Sequence, residues 1–305
     1  MSGSASPSPA GADWIRAGTG NGPTISWSFV AEAPLTGLSL ARESGETFIA
    51  DEGGLLARLD RQGRIAAITR LPDPVRSLAF SDDGRYGVAL CGGSTLTLVN
   101  HVLQPQWTID LPEPAIHVAI APFGGQLFVS CADGSNRFYD TARKRLATFE
   151  TMRPLAFAEF ISTAPAVIAC AEHGLMGRFG IDGRQEWTDK LWSNVGHLTI
   201  TGDGSLIFLA SFMHGLQVYD GDGDAVGSYV LDGTVQRAAV SFEPYRIIVS
   251  TIERKLFWLD ADGEVLWQCT APDDVQFLRC DPLGEWVVCG MASGRVLRLN
   301  WTRRI

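Results

Sequence analysis

No run of eighteen apolar residues occurs in this chain, so the sequence offers no helix able to cross a bilayer. The opening residues, MSGSASPSPAGADW, lack both the basic n-region and the apolar h-region of a secretory signal, which makes the cytoplasm the expected compartment. Clustered basic charge is scarce as well. The net charge is −9 and the pI near 5.1, and the only basic clusters are Arg143-Lys144-Arg145 and Arg303-Arg304. Neutralising phosphates takes clustered Lys and Arg, so no nucleic-acid partner is expected. The six cysteines form no Cys-x-x-Cys and no adjacent pair, which sets aside the usual zinc and redox frameworks. Gly-x-Ser-x-Gly, Gly-x-x-x-x-Gly-Lys-Ser/Thr, His-Glu-x-x-His and Gly-x-Gly-x-x-Gly are all missing, so the sequence points to no enzyme and implies no cofactor.

What the chain does contain is a period. Asp60, Asn100, Asp140, Gly180, Asp220, Asp260 and Asn300 stand forty residues apart, and each closes a short apolar run: LARLD, LTLVN, NRFYD, MGRFG, LQVYD, LFWLD and VLRLN. A fixed period of this length marks a repeat architecture, in which copies of one unit bury each other's faces. Residues 75–114 show the unit: apolar runs rich in Val, Leu, Ile, Phe and Thr, separated by the turn clusters SDDG, GGS, NHVLQ and LPEP. No stretch holds a 3.6-residue apolar period long enough for a helix. Each unit therefore reads as four antiparallel strands, a to d. Strand a is expected to start at Leu35, Val75, Ala115, Leu155, Val195, Val235 and Val275. A turn glycine follows nine residues later at Gly84, Gly124, Gly204 and Gly284, replaced by Ala164 and Pro244 in two units.

The expected fold is all-β: a seven-bladed β-propeller of four-stranded antiparallel blades. The forty-residue, four-strand unit resembles the WD-repeat propellers, and VRSLAFSDDGRYGVAL is close to their a–b pattern. The Gly-His opening of those repeats is missing, and their closing Trp-Asp appears as Tyr139-Asp140, Tyr219-Asp220 or Leu259-Asp260. LFWLDADGEVLWQ and HGLMGRFGIDGRQEW are equally similar to the tryptophan-docking repeats of quinoprotein-like propellers. Quinoprotein dehydrogenases carry a vicinal cysteine pair beside their cofactor. No such pair exists here, so that redox activity is not implied.

The last unit stops after its third strand. Trp27 falls in register with Ala67, Trp107, Ala147, Trp187, Gly227 and Trp267, which makes the N-terminal segment the outer strand of the final blade. Closing the ring this way removes the exposed ends of an open array. Residues 1–22, rich in Ser, Pro and Gly, read as a flexible tail, and 23–305 as one propeller domain.

Candidate chemistry is thin. Cys91, Cys131, Cys170 and Cys289 share the end of strand b, where other units carry Ala or Ser, and Cys280 replaces an apolar residue of strand a, so packing accounts for them. Asp220, Asp222 and Asp224 have the alternation of a calcium loop, yet they occupy a c–d turn and lack the downstream bidentate Glu. His117 and His197 share a strand-a position two units apart with no carboxylate implied nearby, so no metal is expected there.

In propellers of the WD kind the d–a connections gather around one mouth of the channel. Asp73, Glu113, Arg153, Asp273 and Asp274 lie in those connections, and Arg76, Gln236 and Gln276 follow the first residue of strand a. These eight are the candidate protein-binding residues. An acidic rim of this kind favours a basic partner segment through steering. The resemblance implies a non-enzymatic protein-interaction scaffold. A small-molecule sensor or enzyme using the channel mouth, and a structural subunit of a larger assembly, are the alternatives.

Overall fold

The computed structural model describes residues 12–243 and 245–301. Seven antiparallel sheets form a ring, and each blade keeps the order a-b-c-d. Blade 1 runs Leu35–Ala41, Glu46–Asp51, Leu55–Leu59 and Ile65–Arg70, and blades 2 to 6 repeat it at forty-residue intervals. Strand a is innermost: each packs against strand a of the next blade, and that of blade 7 returns to blade 1. Among the described residues the only helix is the four-residue turn Asp13–Arg16, and no helix is long and apolar enough to cross a membrane.

Burial follows position in the blade. Strand b is buried along almost its whole length, as in FIAD, GVALC and LFVSC, whereas strand d alternates exposed and half-buried residues as an outer edge should. The apolar core is seven separate clusters, one at each seam between neighbouring blades. No blade has a core of its own, because a single sheet has nothing to bury its faces against.

The forty-residue Asp/Asn has a specific task. Its side chain accepts backbone N–H groups across the c–d turn: Asp60 Oδ1 from Gln62 (2.9 Å) and Arg64 (3.0 Å), Asn100 Oδ1 from Val102 and Gln104, Asp260 Oδ1 from Asp262 and Glu264. This is an Asx turn, which needs a short side-chain acceptor at that point. Gly180 has no such acceptor, and Asp182 caps the N–H of Arg184 instead. The third residue beyond the cap has positive φ in six blades: Gly63, Leu103, Arg143, Gly183, Gly223 and Gly263. The absence of a Cβ matters at Gly63 and Gly223, where one would lie 2.6 Å from the Trp27 ring and 2.8 Å from the Trp187 ring.

Those two contacts reveal how the seams close on the outside. The large strand-d residue of one blade sits on the c–d turn of the next. Trp107 Nε1 donates to Thr141 O (2.8 Å), Trp187 Nε1 to Gly221 O (3.1 Å) and Tyr229 Oη to Ala261 O (2.7 Å). Where strand d offers only Ala67, the facing turn carries buried Leu103, which fills the space.

Thr24–Val30 is the outer strand of blade 7, paired with Arg295–Asn300, so the expected N-terminal closure is present. The expected tail is not a tail over its described part. Thr19–Gly20 adds a fifth strand to blade 6 beside Val265–Thr270, and Ile15 is buried in the seam between blades 6 and 7. This segment packs beside the end of strand c of blade 7: Trp301 stacks on Trp258 (4.1 Å), meets Trp267 edge-on (5.7 Å) and donates to Asn21 O (3.0 Å). Residues 1–11 of the tail, Pro244 and Arg303-Arg304 lie outside the described residues. A smaller departure occurs in blade 4. Its strand a begins at Phe157 instead of Leu155, whose N–H donates to Ser130 Oγ (3.1 Å) and so leaves the ladder.

Two stability experiments follow from this packing. Removing residues 1–22 should lower the melting temperature, and removing 1–31 should lower it much further; calorimetry showing the first truncation equal to the full chain would contradict the docked segment. Arg143→Gly should raise unfolding stability by about 0.5–1 kcal/mol, the αL cost of a non-glycine residue less the extra freedom of Gly in the unfolded chain. An unchanged or lower urea midpoint would contradict it.

Candidate functional site

Strand a carries a β-bulge between its first and third residues in six blades. Bulges re-aim side chains. Here the second residue lines hollows at the mouth of the channel (Arg76 and Gln276 in one, Ile116 in another), and the third residues His117 and His197 line the channel cavity.

The d–a and b–c connections share this mouth. The structure brings Arg76 and Gln276 together with Glu52 in a hollow at blades 7, 1 and 2, of about 500 Å³. Arg153 lies in a second hollow at blades 3 and 4, of about 360 Å³, with Ile116, Phe157 and His173. Asp73, Glu113 and Asp274 are exposed on the rim, and Gln236 is half-buried beside the channel. Asp273 is different. Its carboxylate accepts the N–H groups of Ser293 (2.7 Å) and Asp274 (2.8 Å); burial opposes its ionisation, but these bonds hold its carboxyl below the usual range. It is committed to pinning the b–c turn.

The rim is divided into two arcs. The connections entering blades 7, 1, 2 and 3 carry Asp273, Asp274, Glu32, Asp73 and Glu113, with Glu32 paired to Arg70 at 2.7 Å. The connections entering blades 4, 5 and 6 carry Met152 (100% exposed), Trp192 (84%) and Val230 (88%), and the b–c turn of blade 5 adds Met213 (78%). Asp232, in the apolar arc, is paired with Lys255. Charge patterning alone missed this second arc, although Trp192 and Met152 stand where other blades place Pro, Asp or Glu. On the opposite face the a–b turns of blades 3, 6 and 7 expose Phe123, Phe242 with Tyr245, and Leu283.

Inside the channel the structure assembles a polar cluster that the sequence reading left apart. Arg42, Asp82, His117, Glu159, His197 and Arg279 line one cavity of about 120 Å³. Arg42 Nη2 lies 3.7 Å from Glu159 Oε2. Burial raises the Asp82 carboxyl above its ordinary range despite Arg42 beside it. Burial likewise pushes His117 down to about 4 and His197 well below its normal value, so both imidazoles are neutral. His117 Nε2 faces Ala158 O at 3.3 Å, and the His197 ring meets Phe157 edge-on at 5.8 Å.

The remaining candidates resolve into structure. All six cysteines are buried thiols, and burial raises Cys91 to about 11 and Cys269 and Cys289 to about 12. Asp220 spends its Oδ1 on the N–H groups of Asp222 (3.0 Å) and Asp224 (2.9 Å). Among the described residues no group of three or more His, Cys, Asp or Glu is placed to hold a metal. No family model and no curated protein matches the chain.

The buried histidines make a pH prediction. An unfolded histidine protonates near 6.5. In the fold His117 resists a proton down to about 4, so its contribution is fully present above pH 6.5 and is lost as the pH falls toward 4. Each histidine adds up to about 1.4 kcal/mol of slope per pH unit in that window. The double variant His117→Phe/His197→Phe, using the residue found at this position in blades 4 and 7, should show a shallower fall in urea stability from pH 6.5 to 4. Parallel curves would contradict the neutral assignment.

Proposed function

We propose that this propeller is a non-enzymatic protein-interaction platform of the cytoplasm, a divergent WD-repeat-like or quinoprotein-like scaffold that receives one partner segment on the d–a face. The observation that carries this reading is the division of that face into an acidic arc and an exposed apolar arc. An arc in which consecutive blades each expose a large apolar side chain, Trp and Met among them, is the kind of surface that marks an interaction site. The acidic arc adds orientation. A segment with basic residues at one end and apolar anchors at the other matches both halves, the charges governing approach and specificity and the anchors the affinity. Asp73, Glu113 and Asp274 would steer, Arg76, Gln236 and Gln276 would supply hydrogen bonds at the mouth, and Arg153 stands at the boundary between the arcs. Asp273 contributes charge while holding its turn. Six buried, unpaired thiols suit a reducing compartment.

The test compares proteins co-purifying from the native host with four baits: wild type, Trp192→Asp/Met213→Asp, Asp73→Lys/Glu113→Lys/Asp274→Lys, and Asp83→Lys/Asp203→Lys on the opposite face. A specific partner should be retained by wild type and by the opposite-face variant, and reduced at least tenfold by both d–a variants, with melting temperatures close to wild type. Retention by the d–a variants together with loss from the opposite-face variant would refute the reading.

A further inference from the structure

Blade 4 departs from the other six at the mouth, and its departures meet in one hollow. In six blades the first residue after strand b donates its N–H to the residue before strand a. Gly92 to Pro74 O (3.0 Å), Ala132 to Pro114 O (2.7 Å) and Ala292 to Asp274 O (2.9 Å) are three of these bonds. Each fastens a b–c turn to the d–a connection beside it. Blade 4 lacks the bond. Ala171 N–H turns instead to Leu175 O (2.9 Å), and among the described residues neither the N–H of Glu172 nor the carbonyl of Pro154 has a partner. Strand a of this blade also starts late, at Phe157, and is the one without a bulge. The hollow of about 360 Å³ is lined by the unfastened turn and connection together.

The side chains around this opening are of three kinds. Ile116, Ala132, Pro154, Ala156, Phe157 and Ala171 give it apolar walls. Arg153 and Glu172 supply charge, and both are exposed, within reach of a ligand. Arg153 lies against the turn that Glu172 begins: its Nε is 3.7 Å from where a Cβ on Gly174 would stand. The two nevertheless form no ion pair, with each other or with any described residue. Blade 4 alone places opposite charges at these two positions of the repeat. His173, the remaining polar group of the wall, is engaged through Nδ1 with Asn194 Oδ1.

An unpaired cation, an unpaired anion, a free backbone donor and a free backbone acceptor around apolar walls are the complement of a zwitterion. We propose that this hollow binds a free amino acid with an apolar side chain. Its carboxylate takes the Arg153 guanidinium, its ammonium takes the Glu172 carboxylate, and its side chain lies on Ile116 and Phe157. Guanidinium presents paired N–H donors to a carboxylate, and an ammonium carries three donors for the Glu172 oxygens and the Pro154 carbonyl. An exposed charge alone holds an ion weakly, so the second charge and the apolar contact are both required. The volume falls within the range of small-ligand sites, roughly 300–1,000 Å³. The site shares Arg153 with the partner face but does not rest on that reading, because its probes are amino acids and not the partner.

The experiment is calorimetric titration of the full chain at pH 7.5 with L-leucine and L-phenylalanine. At least one should bind saturably at one site. Glycine, and the N-acetyl and amide derivatives of the amino acid that binds, should each be roughly tenfold weaker or worse, since each lacks one of the three contacts. Arg153→Gln and Glu172→Gln should melt with wild type, both side chains being exposed, and should weaken the free amino acid by a similar factor. Crossing the two series assigns the charges: Arg153→Gln should leave binding of the amide unchanged, and Glu172→Gln binding of the N-acetyl acid. No saturable binding, or undiminished binding by either variant, would overturn the proposal. So would N-acetyl-leucinamide binding as tightly as leucine, which would assign the hollow to an internal segment of a partner chain.

Discussion

In four of the seven seams a large side chain on the outer strand of one blade, Trp27, Trp107, Trp187 or Tyr229, rests on the c–d turn of the next. The turn must be tight, so an Asp or Asn ties its amides and a residue with positive φ closes it. The turn has no Cβ at Gly63, Gly223 and Gly263, beneath Trp27, Trp187 and Tyr229, whereas Arg143 holds that place in the turn that Trp107 meets. Because each blade's apolar faces are completed only by its neighbours, these docking contacts determine whether seven sheets behave as one body. The final seam shows the same logic under a different constraint. Strand d of blade 7 comes from the N-terminal side, and Trp301, Trp258, Trp267 and the segment from Ile15 to Asn21 build the contact from separate pieces.

Much of this was legible in the sequence because the forty-residue period is a physical requirement. Asp60, Asn100, Asp220 and Asp260 recur since the turn needs an acceptor, and the register of Trp27 with Trp107, Trp187 and Trp267 located the closing strand. The docking of residues 12–22 was hidden, because Ser, Pro and Gly composition reports average solvation and cannot register one buried Ile15 or a two-residue strand. The channel cluster was hidden for another reason. His117, Glu159, His197 and Arg279 come from four different blades, and only the ring curvature makes them neighbours. On the rim, Asp73, Glu113 and Asp274 were visible as loop charges, but the apolar arc emerged only when exposure was assigned to Met152, Trp192, Met213 and Val230.

A rigid ring explains why both surfaces persist. The core is confined to the seams, so connections and channel positions vary without affecting strand pairing. The bulge near the start of strand a separates the two roles within consecutive residues: in blade 3 Ile116 lines a hollow of the mouth while His117 lines the channel cavity. The buried charges of the channel are tolerated because Arg237 and Arg42 find carbonyl and carboxylate partners across blades.

Native-state hydrogen exchange on wild type and Trp27→Ala tests the seam argument most directly. A buried Trp→Ala change costs about 3–5 kcal/mol where the site cannot collapse. If seams hold the ring, protection should fall together across both blades that meet at Trp27, in Arg295–Asn300 of blade 7 and in Leu55–Leu59 and the turn at Gly63 of blade 1. Loss confined to Thr24–Val30, with blade 1 as protected as before, would show that each blade is stable alone and would contradict the account.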